Sequence, residues 1–236
     1  MQVYSYPLLQ RGTLVRRYQR FFAEVDLVTG DRITAHCPNT GPMSGICILG
    51  SPVYVSFHDD PKRKLQWTWE MIQVQDTWVG VNTGLPNRVI GKMLAAGFIP
   101  ELGPIARIAQ EVPYGVERSR IDFVVTDPEG QPTYVEVKNT TWSQGDRAMF
   151  PDTVTTRGQK HVRELMALQS QGTATALIFF INRSDCTTFA AGSAADPEYG
   201  RLLSQAIALG VKVLPCRFAV TPTEIHYLGL ATLHDG

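Results

Sequence analysis

The chain has 236 residues, 44% of them hydrophobic, and its 22 lysines and arginines balance 22 aspartates and glutamates. That length is enough for one large domain or two small ones with a sizeable core. The zero net charge excludes the global basic field of a protein that holds nucleic acid by charge alone, so any such surface must be local.

The opening stretch, MQVYSYPLLQRGTLVRRYQR, has no apolar core of secretory-signal length. No run in the chain approaches the ~20 apolar residues of a membrane helix, so a cytoplasmic protein with no membrane partner is expected. Short alternating segments follow at 21–28, 32–37, 53–57 and 65–72, separated by turn clusters such as PNTGPMSG and HDDPKRK. In the last segment Leu65, Trp67, Trp69 and Met71 share one face while Gln66, Thr68 and Glu70 share the other, the period of a half-buried strand. Four or five such strands predict a small OB-like β-barrel over residues 1–84, because closure removes exposed edges. Arg11, Arg16, Arg17 and Arg20 precede the first acidic residue, and Lys62, Arg63 and Lys64 sit in a turn between strands. These seven residues are the candidate nucleic-acid contacts of the barrel. Cys37, Cys47, Cys186 and Cys216 form no CxxC pair and read as reduced thiols.

From residue 85 to 236 helices and strands alternate. Asn87 is placed to cap a helix with the apolar stripe Val89, Ile90, Met93 and Leu94, which Gly97 stops. Strands are expected at 107–112, 119–125 and 134–139, then a helix over 157–172 and a fully covered apolar strand at 173–182. A further helix has Asp196 as N-cap, Pro197 in its first turn and Gly210 past its end, and VKVLPC follows as a strand. Strand, helix, strand in that order implies a right-handed crossover, hence a mixed α/β domain whose central sheet is partly parallel.

YVEVKN, residues 134–139, carries the chemistry. Residues two apart on a strand point the same way, so Glu136 and Lys138 project together. On the preceding strand Ile121, Phe123 and Val125 are expected on one face and Asp122 on the other. Paired strands bring Asp122 and Glu136 toward one spot beside the Lys138 ammonium. Two carboxylates so placed repel each other unless a hard cation such as Mg²⁺ or Mn²⁺ lies between them, and such an ion polarises a phosphoryl group.

An acidic residue on one core strand followed by Glu-x-Lys on the next resembles the PD-(D/E)XK nuclease superfamily, with Ile121 in place of its proline. The stretches HCPNTGPM, NTGLPNR, EVPYGVERSRIDF, YVEVKNTT and FPDTVTTRGQKHVREL resemble the SfsA family, named for sugar fermentation stimulation. That resemblance implies an OB-like domain fused to a restriction-endonuclease-like domain, DNA as partner, and a divalent-metal-dependent nuclease site. Asp122, Glu136 and Lys138 are then the catalytic residues. The metal ligands are Asp122, Glu136, the Val137 carbonyl and an upstream acid, Glu111 in preference to Glu101. Gln159 and Lys160, at the start of the following helix, are further candidates to touch nucleic acid. Arg118 and Arg120 flank Asp122 as phosphate contacts or as neutralising charges. A homodimer suits an enzyme that cuts both strands, although no apolar stripe demands one. The alternative is a non-catalytic DNA-binding regulator of sugar metabolism genes that keeps the nuclease fold as scaffold.

Overall fold

The computed structural model describes residues 1–115 and 119–234. Strand β1 (Gln2–Ser5) is followed by β2 (Leu9–Tyr18), β3 (Phe22–Leu27), β4 (Arg32–His36), β5 (Pro52–Phe57), β6 (Trp67–Val74) and β7 (Thr77–Gly80). The last six pair in the order β4-β3-β2-β5-β6-β7, and a short parallel pairing of Ala35 and His36 with Trp67 and Thr68 joins β4 to β6. Five strands thus close into the N-terminal barrel, and closure covers the two edges that β4 and β6 would otherwise expose. Its interior holds Leu14, Val25, Ala35, Val55, Trp69 and Ile72.

The strict alternation expected along 65–72 breaks at Glu70. Tyr54 pairs with Met71 but Val55 pairs with Trp69, so Glu70 is an extra, bulged residue. Thr68 and Glu70, expected on a solvated face, are both 95% buried. Burial of Glu70 is tolerated because Ser56 Oγ donates to Oε1 (2.6 Å) and Asn82 Nδ2 donates to Oε2 (2.8 Å).

After the barrel come α1 (Leu85–Ala95), β8 (Arg107–Tyr114), β9 (Ser119–Thr126), β10 (Pro132–Thr140), β11 (Trp142–Gln144), β12 (Arg147–Phe150) and α2 (Thr156–Ser170). They are followed by β13 (Ala174–Ile181), β14 (Thr188–Ala191), α3 (Pro197–Ala208), β15 (Lys212–Val220), β16 (Glu224–Leu230) and β17 (Thr232–Leu233). The seven-stranded sheet runs β1-β16-β15-β13-β10-β9-β8, with β10, β13 and β15 parallel. Strand β13 lies at its centre, where its apolar run is covered on both faces. On one face α1 packs Val89, Ile90 and Met93 against Phe123, Val135 and Ile178. On the other, α2 and α3 bring Val162, Leu165, Leu202 and Leu203 over Leu177, Phe179 and Ile181. No helix among the described residues is long and apolar enough to cross a membrane.

Three expectations change here. Residues 1–84 do not all join the barrel, because β1 adds to the other sheet through Tyr4 and Ser5 opposite Ile225 and Glu224. Asn87 does not cap α1. The helix starts three residues earlier, at Leu85, with Gly84 at the N-cap and Pro86 in the first turn, which leaves the Asn87 amide free for another task. Ile121 does not share a face with Phe123 and Val125: it packs with the α2 side, and they pack with the α1 side. The cause lies on β8, where Glu111, held between the pairs Gln110–Phe123 and Val112–Ile121, has φ +52° and turns the ribbon over.

Candidate functional site

Strand β9 pairs with β10 only as far as Phe123 opposite Val135. One step on, the Asp122 side chain takes over from the backbone ladder: Val137 N–H donates to Asp122 Oδ2 at 2.7 Å. Asn87 Nδ2 donates to the other oxygen, Oδ1, at 2.6 Å. The amide that is spare at the start of α1 therefore fixes the first of the two expected carboxylates. Burial, and then the nearby Glu136 carboxylate, push Asp122 up to about 6, more than its two donors and Lys138 bring it down.

Glu136 points to the opposite side, toward α2, and is 97% buried. Lys138 Nζ donates to its Oε1 at 2.7 Å, and His161 Nδ1 contacts the same oxygen. Lys138 Nζ also lies 3.2 Å from His161 Nδ1. Burial alone would raise Glu136, but the ammonium and the imidazole outweigh it and hold the carboxyl below its ordinary value. Glu136 Oε2 is buried and has no hydrogen-bond partner. Tyr114 and Glu164 complete this wall. Burial, with Glu136 and Glu164 nearby, pushes the Tyr114 phenol well above its usual range, and the Glu164 carboxylate lies over Gly115.

Lys138 and Glu136 meet directly, and Asp122, where β9 and β10 separate, is near enough to feel the charge of both. Asp122 is held from the α1 side and Glu136 from the α2 side. Among the described residues no three His, Cys, Asp or Glu side chains already form a metal-ligand cluster. Glu111 is exposed, sits opposite Asp122 across the β8–β9 pair, and lines clefts on both sides of it. Glu101 is remote, beside Cys216 and Tyr227. Val137 lends its N–H to Asp122, and its side chain faces the α1 core.

The larger of these clefts, about 560 Å³, is lined by Glu111, Arg120, Arg157, Lys160, His161 and Arg163. Lys160, a candidate nucleic-acid contact, is among the residues that line it. Gln159, the other candidate on this helix start, is turned away from the cleft: its amide donates to both oxygens of Asp196, at 2.9 and 3.0 Å, and so braces the carboxylate that caps α3. Arg120 donates to the Glu111 carbonyl (3.0 Å) and keeps the rest of its guanidinium at the cleft. Arg118 lies outside the described residues.

On the barrel, Arg16 pairs with Glu24 at 2.5 Å and stacks over Tyr18. Arg17 is tied to the carbonyls of Arg20, Asn39 and Gly41, so it holds a loop in place. Arg63 donates to Thr68 Oγ1 (2.8 Å). Arg11, Arg20, Lys62 and Lys64 are exposed.

Sequence reasoning missed His161, Asn87, Tyr114, Arg157 and Arg163. A signal existed for His161, which stands one residue before Val162 and four before Leu165, on the buried stripe of its helix. Arg157 and Arg163 had none, because an arginine on an amphipathic helix usually faces solvent.

Comparison with known proteins accounts for both halves. Residues 15–81 match the SfsA N-terminal OB domain, and residues 84–224 match the sugar fermentation stimulation protein RE domain. A sugar fermentation stimulation protein homolog of Thermosynechococcus vestitus is 63% identical over 97% of this chain and 96% of its own length. One from Gloeobacter violaceus is 58% identical over 98% of both chains. Among solved structures, Pyrococcus furiosus SfsA superposes with a TM-score of 0.90 over 99% of each chain at 24% identity, which establishes the shared fold. The chain belongs to the sugar fermentation stimulation protein family.

Proposed function

We propose that this protein binds DNA and hydrolyses phosphodiester bonds with a divalent cation, residues 85–236 carrying the chemistry and the barrel within residues 1–84 adding contacts to the nucleic acid. One observation carries the reading. Glu136 is a buried carboxylate held ionised by Lys138 and His161, yet its second oxygen has no partner. An unpartnered buried carboxylate oxygen is unfavourable unless a cation completes it.

Mg²⁺ or Mn²⁺ suits the all-oxygen donor set of Asp122, Glu136 and the Val137 carbonyl, with Glu111 as the neighbouring exposed acid. When bound, such an ion supplies charge stabilisation to a phosphoryl group. That the Pyrococcus furiosus relative was solved in complex with Ca²⁺ is in keeping with an oxygen-lined cation site. The protein's own part is positioning. Asn87 and the Val137 N–H orient Asp122, His161 orients Glu136, and Lys138 offers donors to an attacking water and to developing negative charge. Arg120, Arg157 and Arg163 line the cleft along which a phosphate backbone would run.

A second reading, a non-catalytic DNA-binding regulator, is favoured by the existing bonds of Lys138 and His161 to Glu136, which satisfy part of the carboxylate without any ion. Nicking of supercoiled plasmid in Mg²⁺ or Mn²⁺ separates the two. Wild type should nick, whereas Lys138→Ala and the Asp122→Asn, Glu136→Gln double variant should be slower by about 100-fold or more while still binding DNA. Binding without nicking by wild type would select the regulator.

A further inference from the structure

A cavity of about 220 Å³ lies between the barrel and the C-terminal end of β10, lined by Asn39, Thr83, Asn139, Thr141, Trp142 and Asp152. It has room for several waters or one planar heterocycle. Its polar groups are partly committed, in a way that leaves both donors and acceptors over. Asn39 Oδ1 accepts from Gly41 N (3.0 Å) and Asn139 Oδ1 accepts from Asn182 Nδ2 (3.0 Å), so both leave their amide N–H groups to the cavity they line. Asp152 Oδ2 accepts from Ser44 N (3.2 Å), which leaves Oδ1 as an acceptor. Trp142 is half-buried and offers a flat apolar surface.

Amide donors, a carboxylate acceptor and an aromatic face in one small volume are what reads the hydrogen-bonding edge of a base and stacks on its plane. Asn139 directly follows Lys138 on β10, so one strand carries both a wall of the cavity and the Lys138 ammonium. The cavity also adjoins a cation: the cleft formed by the adjacent stretches 40–42 and 153–154 includes the exposed Arg20.

We propose that this cavity receives one unpaired nucleobase of a bound nucleic acid, with Trp142 stacking on it and Asn39, Asn139 and Asp152 reading its edge. A base inside an intact duplex cannot enter, so the pocket gives preference for a nucleotide that is unpaired or extruded. This inference rests on the DNA-binding reading above and adds to it which DNA is preferred.

The test is fluorescence anisotropy in chelator, where no cleavage occurs, comparing a labelled duplex that carries one unpaired adenosine with the same duplex fully paired. Wild type should prefer the bulged duplex by about tenfold, the scale of one base stacked on an aromatic side chain. Trp142→Ala should lose that preference and Trp142→Phe should keep it, with the paired duplex bound equally by all three. Thr83→Tyr, an exposed substitution at the cavity mouth that gives up the Thr83–Pro38 bond, should lose it too, and unchanged binding of the paired duplex shows that each variant keeps its fold. Equal binding of both duplexes by wild type, or a preference that survives both Trp142→Ala and Thr83→Tyr, overturns the base pocket and leaves DNA binding standing. No binding of either duplex overturns both.

Discussion

Asp122 and Glu136 are chemically alike and near enough for one charge to act on the other, yet their surroundings drive them in opposite directions. Glu136 has an ammonium and an imidazole on one oxygen; Asp122 has two neutral donors and the negative charge of Glu136 nearby. Burial, and then the Glu136 charge, therefore make Asp122 bind its proton more tightly in the folded chain, at about 6 against an ordinary 3.8. The sign follows from linkage. A carboxyl raised on folding stabilises the fold when protonated, so stability is lost as pH rises from about 4 through 6 and the full cost, roughly 3 kcal/mol, applies above that window. Asp122→Asn removes the titration. In chelator, the stability of the variant relative to wild type should improve by about 2 kcal/mol between pH 4.5 and 7.5. Urea denaturation at the two pH values measures this, and comparing the pH values cancels the hydrogen bonds that an asparagine rearranges. A difference that does not change with pH would mean that Asp122 is not strained by its surroundings.

At the scale of elements, the β8–β9 ribbon decides where that carboxylate points. The sequence made both strands legible, along with β10, the covered β13 and the capped α3, because each has a period or a cap that physics ties to one conformation. It did not reveal the half-turn at Glu111, because a left-handed residue inside a strand leaves no mark on hydrophobic periodicity when the residue is not glycine. The same limit hid β11, β12, β14 and β17, whose two to four residues each are too short for alternation to show. It misassigned Asn87, an N-cap by residue type, because the helix actually begins at Leu85. The turn at Glu111 makes a prediction of its own. At φ +52° a side chain costs roughly 1 kcal/mol that glycine does not incur. Glu111→Gly should therefore be more stable than Glu111→Ala by about that amount in chemical denaturation. In the proposed reading both variants also lose the exposed acid beside the site, so they should nick plasmid equally poorly. If alanine proved as stable as glycine, Glu111 would not be in the left-handed region and the ribbon would not turn there.

For the whole molecule, the barrel and the larger sheet are joined by buried polar groups rather than by a flexible linker. Gly80, the last residue of β7, donates its N–H to the Asn182 carbonyl (2.9 Å), and Asn182 N–H donates to Thr140 at the end of β10 (2.9 Å). The Asn182 amide reaches Asn139, next to Lys138, and Gly80 has no room for a side chain because a Cβ would collide with that amide. The bonds from Asn82 to the Glu70 carboxylate (2.8 Å), from Thr83 to the Pro38 carbonyl (3.0 Å) and from the Ser44 N–H to Asp152 (3.2 Å) tie the same junction. Strand β1, lying on the far sheet ahead of the barrel in sequence, closes the connection from the other end. Halves linked in this way should unfold together. Trp67, Trp69 and Trp78 report the barrel while Trp142 lies outside it, and the three α-helices of the described residues lie beyond the barrel. In a Trp142→Phe background, tryptophan fluorescence therefore follows the barrel and helical circular dichroism follows the rest. The two urea transitions should coincide, and Gly80→Ala should move both to lower urea by the same amount, a loss of about 2 kcal/mol or more from forcing a buried amide aside. Transitions that separate, or a Gly80→Ala shift confined to the fluorescence, would mean that the barrel folds independently and that its junction with β10 does not hold the proposed site together.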